Sequence, residues 1–274
     1  MIMDTKGNHS VKKGSVTLYM VLLVAVIGVM SVLRNCKWSA EKPIEKNGEV
    51  VAIEYSPLLC YTYDDTLGGF SYDLLRLVAR RGGVELKFQP MVTLSKSLAR
   101  LKAGDYKMVI AEFPVTKENK EDFLFSDPIY LDRQVLVQKK LFDGTIAIKS
   151  SLDLANDTVW IVEGSSMQSR LKNLSHEIGD TIYVNNEPEY GSEQMFIMVA
   201  AGEIKYAVMN ERIAKIMSKK YPDVDVSTGI SFSQFQSWII QKEDSVFCDS
   251  INSWLKAVKE TPEYQALYNR YFPE

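Results

Sequence analysis

Histidine and cysteine are scarce in this chain, with two of the first and three of the second in 274 residues. His9 lies in the first ten residues, which leaves His176 alone in the body of the chain. A serine–histidine triad or a multi-histidine metal centre therefore has little material to be built from. Cys36, Cys60 and Cys248 are too few for a disulfide framework, and none stands in a Cys-x-x-Cys pair. Whether Cys60 and Cys248 pair is a question that spacing leaves open. A surplus of positive charge is missing as well. The chain has 32 Lys+Arg against 35 Asp+Glu, a net of −3. Residues 1–37 hold five basic side chains and one acid, so they carry +4 and the remainder −7. A body of that sign cannot neutralise a run of phosphates, which excludes nucleic acid as a partner. No catalytic residue, metal ligand or cofactor is expected.

What the chain does have is a long uncharged run. Residues 15–33 carry no charge and as a helix would extend about 28 Å, close to the hydrocarbon thickness of a bilayer. Lys12 and Lys13 precede it, while Arg34, Lys37, Lys42 and Lys46 follow, so the basic residues do not settle its orientation. The reading is a tail at 1–14, a transmembrane or signal-anchor helix at 15–33 and a polar linker at 34–47. Lipidation at Cys36 is the competing reading, because Leu33-Arg34-Asn35-Cys36 faintly resembles a lipoprotein cleavage box. A buried helix of the globular body is the third reading, and it would need a larger core than the chain provides.

From residue 50 onward, short apolar strands alternate with helical patterns, the signature of α/β architecture. The first round reads as strands at 50–55, 84–88 and 108–111. Helical stripes lie between them at Leu74, Leu75, Leu77 and Val78, then at Leu94, Leu98 and Leu101. A strand at 134–137 leads to a second round, with strands at 159–162, 182–184 and 206–209 and helices at 166–174, 194–201 and 211–221. A strand at 235–240 and two helices close the chain, the last opened by the cap Thr261-Pro262. Two similar rounds followed by helices that must pack on something already built predict two lobes. The cleft would lie at the carboxyl ends of the strands.

Several runs carry a family resemblance. They are Leu67-Gly68-Gly69-Phe70-Ser71-Tyr72-Asp73-Leu74, Leu101-Lys102-Ala103-Gly104-Asp105, Phe125-Ser126-Asp127-Pro128-Ile129-Tyr130, Ile148-Lys149-Ser150-Ser151-Leu152-Asp153-Leu154, Glu163-Gly164-Ser165-Ser166 and the ending Tyr264 to Phe272. In this order they resemble the bacterial extracellular solute-binding proteins of family 3, over about residues 48–273. The resemblance implies a two-lobed periplasmic-binding-protein-like (type 2) α/β fold with two hinge crossings. The lobes would be 48–137 with 229–274, and 138–228. It also implies closure over a small solute. Gln234-Phe235-Gln236-Ser237-Trp238-Ile239-Ile240 is similar to a segment in the sensing module of membrane-bound lytic murein transglycosylases of type F, in which a catalytic domain follows. With the chain stopping at Glu274, no such domain is expected here.

The resemblance also marks departures. Amino-acid binders of the family hold the ligand carboxylate with an Arg, and Asn119 stands at that position. Their Asp for the ligand ammonium falls at Asn210. Glu112 replaces a usually small residue, next to Phe113. Tyr55 and Ser56 match the family's aromatic lid position. Gly164, Ser165 and Ser166, between a strand and a helix, suit an anion or a carbonyl oxygen. Each also has a plainer reading: a core tyrosine, a capping serine or a solvated glutamate. Nothing around Glu112 in the sequence argues for a shifted pKa.

The expectation is a non-enzymatic, membrane-tethered binding protein on the extracytoplasmic face. It takes a small polar ligand other than an ordinary free α-amino acid; an amino-acid derivative, peptide or muropeptide fits. It would present that ligand to an ABC permease or another membrane protein. The alternative is a regulatory module binding cell-wall fragments; a dehydratase-like enzyme on the same fold ranks last.

Overall fold

Glycines set the first long helix of the body. Gly69 has φ 131°, and a Cβ there would lie 2.5 Å from the Leu59 carbonyl oxygen, so a side chain is excluded on two counts. Gly83, with φ 66°, ends the helix by donating to the Ala79 and Arg80 carbonyls. The computed structural model describes residues 21–23, 26, 49–91, 93–113, 115–165 and 167–272. The chain divides into units 1–45 and 46–274. In the first unit, residues 21–23 and 26 are helical. The rest of the expected membrane segment 15–33 lies outside the described residues, as do His9, Cys36 and the linker 34–47. Among the described residues no helix is long and apolar enough to cross a membrane.

The second unit begins with β1 (Glu49–Ile53), a hairpin of β2 (Tyr61–Tyr63) and β3 (Thr66–Gly68), and α1 (Phe70–Gly82). It continues through β4 (Leu86–Pro90), α2 (Leu94–Lys102), β5 (Met108–Ile110), α3 (Lys117–Asp122) and β6 (Phe123–Phe125). After β7 (Tyr130–Asp132) come β8 (Gln134–Lys139), a 3-10 turn at Ser151–Leu154, β9 (Thr158–Val162), α4 (Met167–Ile178) and β10 (Tyr183–Glu187). Then follow α5 (Ser192–Ala201), β11 (Tyr206–Asn210), α6 (Glu211–Ser218) and β12 (Val224–Asp225). The chain closes with β13 (Gln234–Gln236), β14 (Ile239–Gln241), α7 (Ser245–Lys259) and α8 (Pro262–Tyr271).

Two sheets define two lobes. The first has the order β4-β1-β5-β14-β6 and the second β10-β9-β11-β8-β12. Between them β7 and β13 pair antiparallel, Tyr130 opposite Gln236, and form the double crossing. The crossing falls earlier than residue 137. All of β8 belongs to the second sheet, antiparallel to β11 with Gln134 opposite Asn210. Its apolar run marks it as buried, but which sheet it joins depends on a partner some seventy residues away that periodicity does not see. The return also differs from a single strand at 235–240. Ile230 still bonds Gln134 on the second sheet, and Ser237-Trp238 break the run into β13 and β14. There the Trp238 amide donates to Ser126 Oγ at 3.0 Å.

One apolar cluster runs through both lobes, from Val51, Leu74 and Leu75 to Met195, Phe196 and Ala207. A second, with Leu136, Ile161, Leu171 and Val208, covers the other face of the second sheet. In β11 alternate residues enter alternate clusters, so the strand is buried on both faces. Helices α7 and α8 pack on α1. Trp254 lies so close to Gly82 that a Cβ there would be 2.5 Å from the indole ring. Tyr271 Oη accepts from the Gly69 amide at 3.0 Å and donates to Asp73 at 3.2 Å. Cys60 and Cys248 are both buried in this lobe, each as a free thiol.

Candidate functional site

The carboxyl ends of β1, β5, β9 and β11 converge between the lobes, where parallel α/β sheets bind ligands. A cavity of about 150 Å³ lies there. Glu54, Tyr55 and Thr93 line it from the first lobe and Glu163, Glu189 and Tyr190 from the second. It falls below the roughly 300 Å³ of a common ligand pocket, so with the lobes in this position the space suits only a small solute. Among the described residues no Lys, Arg or His lines it. Larger hollows on the outer face of α1 and beside α4 lie away from the strand ends and carry no such convergence.

Beside the cavity two carboxylates are buried. Glu54 Oε2 accepts from the Glu112 amide at 3.1 Å. Glu112, 4% exposed, accepts from the hydroxyl of Ser192, the first residue of α5 in the opposite lobe. Burial pushes the Glu54 carboxyl up to about 7, against the Glu112 and Ser192 amides that favour its charged form. Burial raises Glu112 well above the usual range, and the neighbouring charge of Glu54 adds to it. The absence of any expected shift at Glu112 is thus overturned: the cause is burial, which one residue's sequence neighbours do not reveal. Asp132, at the crossing, is also pushed up to about 7 by burial, while the amides of Arg133 and Arg212 and the Arg212 charge oppose it.

The sequence-predicted residues fall in several places. Tyr55 lines the cavity and is 43% exposed. Ser56 is buried below it, where its Oγ accepts from the Leu59 amide at 3.0 Å and fixes a local turn. Phe113 is packed against Phe123 and Phe125, ring centroids 6.1 and 6.3 Å apart, inside the first lobe. Asn119 sits on the short, exposed α3, its amide donating to the cap Thr116 Oγ1 at 3.2 Å, and does not line the cavity. Gly164 takes φ 79° in the turn after β9, and a Cβ there would come 3.4 Å from Ser95 of the other lobe. Ser165 is buried with its Oγ unpartnered. Ser166 lies outside the described residues. Asn210 is 1% exposed; its Nδ2 donates to Gln236 Oε1 at 3.4 Å and its Oδ1 has no partner.

Sequence reasoning passed over Glu54, Ser192, Glu189 and Tyr190. Glu54 carried a signal, since it ends an apolar strand immediately before Tyr55. Residues 185–191 fall between the strand read at 182–184 and the helix read at 194–201, and nothing in that stretch was singled out. Among the described residues no group of three or more His, Cys, Asp or Glu is arranged to hold a metal ion.

Two α/β lobes on a paired crossing, with polar strand ends gathered between them, define a hinged binding protein. Residues 50–274 match the model for bacterial extracellular solute-binding proteins, family 3, and the chain belongs to that family. Among curated proteins it is similar to membrane-bound lytic murein transglycosylase F of Photobacterium profundum, 26% identical over 260 residues, covering 91% of this chain and 50% of that protein. The enzyme of the same name from Desulfosudis oleivorans is 28% identical over 232 residues, covering 84% and 50%. The chain spans about half the length of these relatives. Among solved structures, an ancestral arginine-binding protein bound to arginine matches with TM-score 0.72 and 26% identity, over 82% of this chain and 97% of that one. Holo ArgBP from T. maritima matches with TM-score 0.66 and 27% identity, over 82% and 95%.

Proposed function

We propose that this is a binding protein without catalysis, working on the extracytoplasmic side and tethered there by residues 15–33 or by lipid on Cys36. It captures a small polar solute other than an ordinary free α-amino acid and presents it to an ABC permease or another membrane partner. The observation that carries the reading is a cavity at the strand ends lined by three glutamates and, among the described residues, by no basic side chain. An α-amino acid needs a donor fork for its carboxylate, for which Asn119 and Asn210 are poor substitutes. An unpaired buried carboxylate costs several kcal/mol, about a thousandfold in affinity. Tyr55 on the cavity wall, Glu112, Asn210, Gly164 and Ser165 off that wall, and Ser166 remain the residues proposed to meet the solute. Ser56 and Phe113 support them from behind, and Asn119 marks the lost ionic grip.

A second reading is favoured by the curated relatives, which bear the name of a cell-wall enzyme and run to about twice the length. On it, the chain is a sensing module that binds muropeptides. A thermal-shift panel of the full chain against amino acids, peptides, sugars, polyamines and muropeptides separates the two. A solute at 100 times its dissociation constant adds about 2.7 kcal/mol. Micromolar binding of Glu, Gln, His or Arg would refute the first reading, and a shift confined to muropeptides would favour the second.

A further inference from the structure

The two buried carboxylates at the deep end of the cleft do unequal work. Glu54 is held mainly within its own lobe by the Glu112 amide, and the Ser192 amide also favours its charge. Glu112 reaches across. It accepts the Ser192 hydroxyl at the start of α5, and the backbone N–H of Asn210 at the end of β11 favours its charged form. Helix starts and strand ends of this kind are where a bound anion is ordinarily held. Here the place is taken by a carboxyl group of the protein itself. Two buried acceptors are then left unpartnered, Glu112 Oε1 and Asn210 Oδ1. Buried acceptors without donors are unfavourable, so this corner calls for a proton or for a donating ligand.

We propose that Glu112 is a built-in ligand group that draws the second lobe onto the first without a solute carboxylate and so selects, for the adjoining cavity, a solute that is a hydrogen-bond-donating cation, an ammonium or guanidinium. This rests on the solute-binding reading and deepens it by naming the ligand class and the residue that sets it. Glu54, Glu163 and Glu189 on the cavity wall supply the complementary charge. The groups that face Glu112 are Glu54 after β1, Asp132 and Tyr130 on β7, Ser192 on α5 and Asn210 on β11. Arg212 is the nearby cation, stacked 5.8 Å above the Tyr130 ring, and Arg133 is already paired with Glu211 at 2.8 Å. The cluster is acidic on balance, and a cation relieves the repulsion that a proton otherwise relieves.

The test measures melting temperatures of the full chain, wild type and variants, with putrescine, sodium acetate or sodium chloride at matched ionic strength. In the wild type putrescine raises the melting temperature by about 3 °C or more over sodium chloride, and acetate does not. In Glu112→Ala acetate fills the vacated place and produces the shift that the wild type lacks. In Glu112→Gln, which keeps the shape and loses the charge, the putrescine shift falls by at least half. An acetate effect no larger in Glu112→Ala than in wild type overturns the proposal, as does an undiminished putrescine shift in Glu112→Gln. Should Glu112→Ala fail to fold, the Gln variant decides alone. A wild type indifferent to putrescine but shifted by a neutral solute of the wider panel overturns the cation inference and leaves the binding reading intact. Indifference to the whole panel overturns both.

Discussion

The deep end of the cleft and its mouth are both built from glutamates, and they treat them oppositely. At the mouth Glu163 and Glu189 are exposed, beside Tyr55 and Tyr190, and keep their water. At the deep end Glu54 and Glu112 are stripped of water and held by amides and a hydroxyl, including groups from the opposite lobe. The same side chain is thus a solvated charge in one place and a coupling element in the other. Burial decides which, since a carboxylate that loses water must find donors or a proton.

The largest break in that comparison is Glu54→Ala. It leaves the buried Glu112 amide without its acceptor and removes a filled volume, with an expected loss of about 2–4 kcal/mol in urea unfolding. Glu189→Ala at the mouth should stay within about 0.5 kcal/mol. Equal losses at both positions would mean that the deep carboxylate has no special standing.

Next in size is the response to pH. Glu54 is raised from 4.5 to about 7 and Asp132 from 3.8 to about 7. A group held above its unfolded value binds its proton more tightly in the folded chain. Its contribution is fully present below the unfolded value and is lost as pH rises through about 7. The melting temperature should therefore fall between about pH 5 and pH 8, and Glu54→Gln should flatten the fall. Glu211, lowered by its bond to Arg133, acts in the opposite sense and only in acid, below the ordinary carboxylate range. A melting temperature that climbs from pH 5 to pH 8 would contradict the buried, raised carboxylates.

How much of this was legible beforehand follows the same division between local and distant causes. Thr261 caps α8 as the Thr261-Pro262 pair predicts, and Thr93 and Asp244 cap α2 and α7 in the same local way, because a cap is decided within three residues. The α/β alternation was legible for the same reason. The lobe to which β8 belongs was not, since Gln134 meets Asn210 only after the chain has made a full round. Glu112 stood out as a large residue at a position the family keeps small. That its oxygen would meet Ser192, eighty residues on, was beyond any window. Glu54 was hidden by its ordinary appearance at the end of a strand.

A smaller effect sharpens the mouth. Tyr55 is nearly half exposed and carries little of the core, so Tyr55→Ala should change the unfolding free energy by less than about 1 kcal/mol. If its ring stacks on a bound cation, the same change should weaken putrescine binding by about three- to thirtyfold, in the range of a cation–π contact. Affinity and stability should separate here as they do not at Glu54. Calorimetric titration beside urea unfolding of the same variant reads both.

Ser165 should give the smallest effect and the most pointed one. Its Oγ is buried at the turn after β9 and has no partner, so the hydroxyl sits there at a cost. Removing it in Ser165→Ala takes away no bond, and the solute-free chain should be unchanged or stabilised by up to about 1 kcal/mol. A buried hydroxyl kept unsatisfied beside Gly164, where the two lobes touch, makes sense if the solute supplies the missing partner. The variant should then lose affinity while it gains or holds stability. A loss of stability in the absence of solute would assign the hydroxyl to the fold and remove Ser165 from the residues proposed to meet the solute.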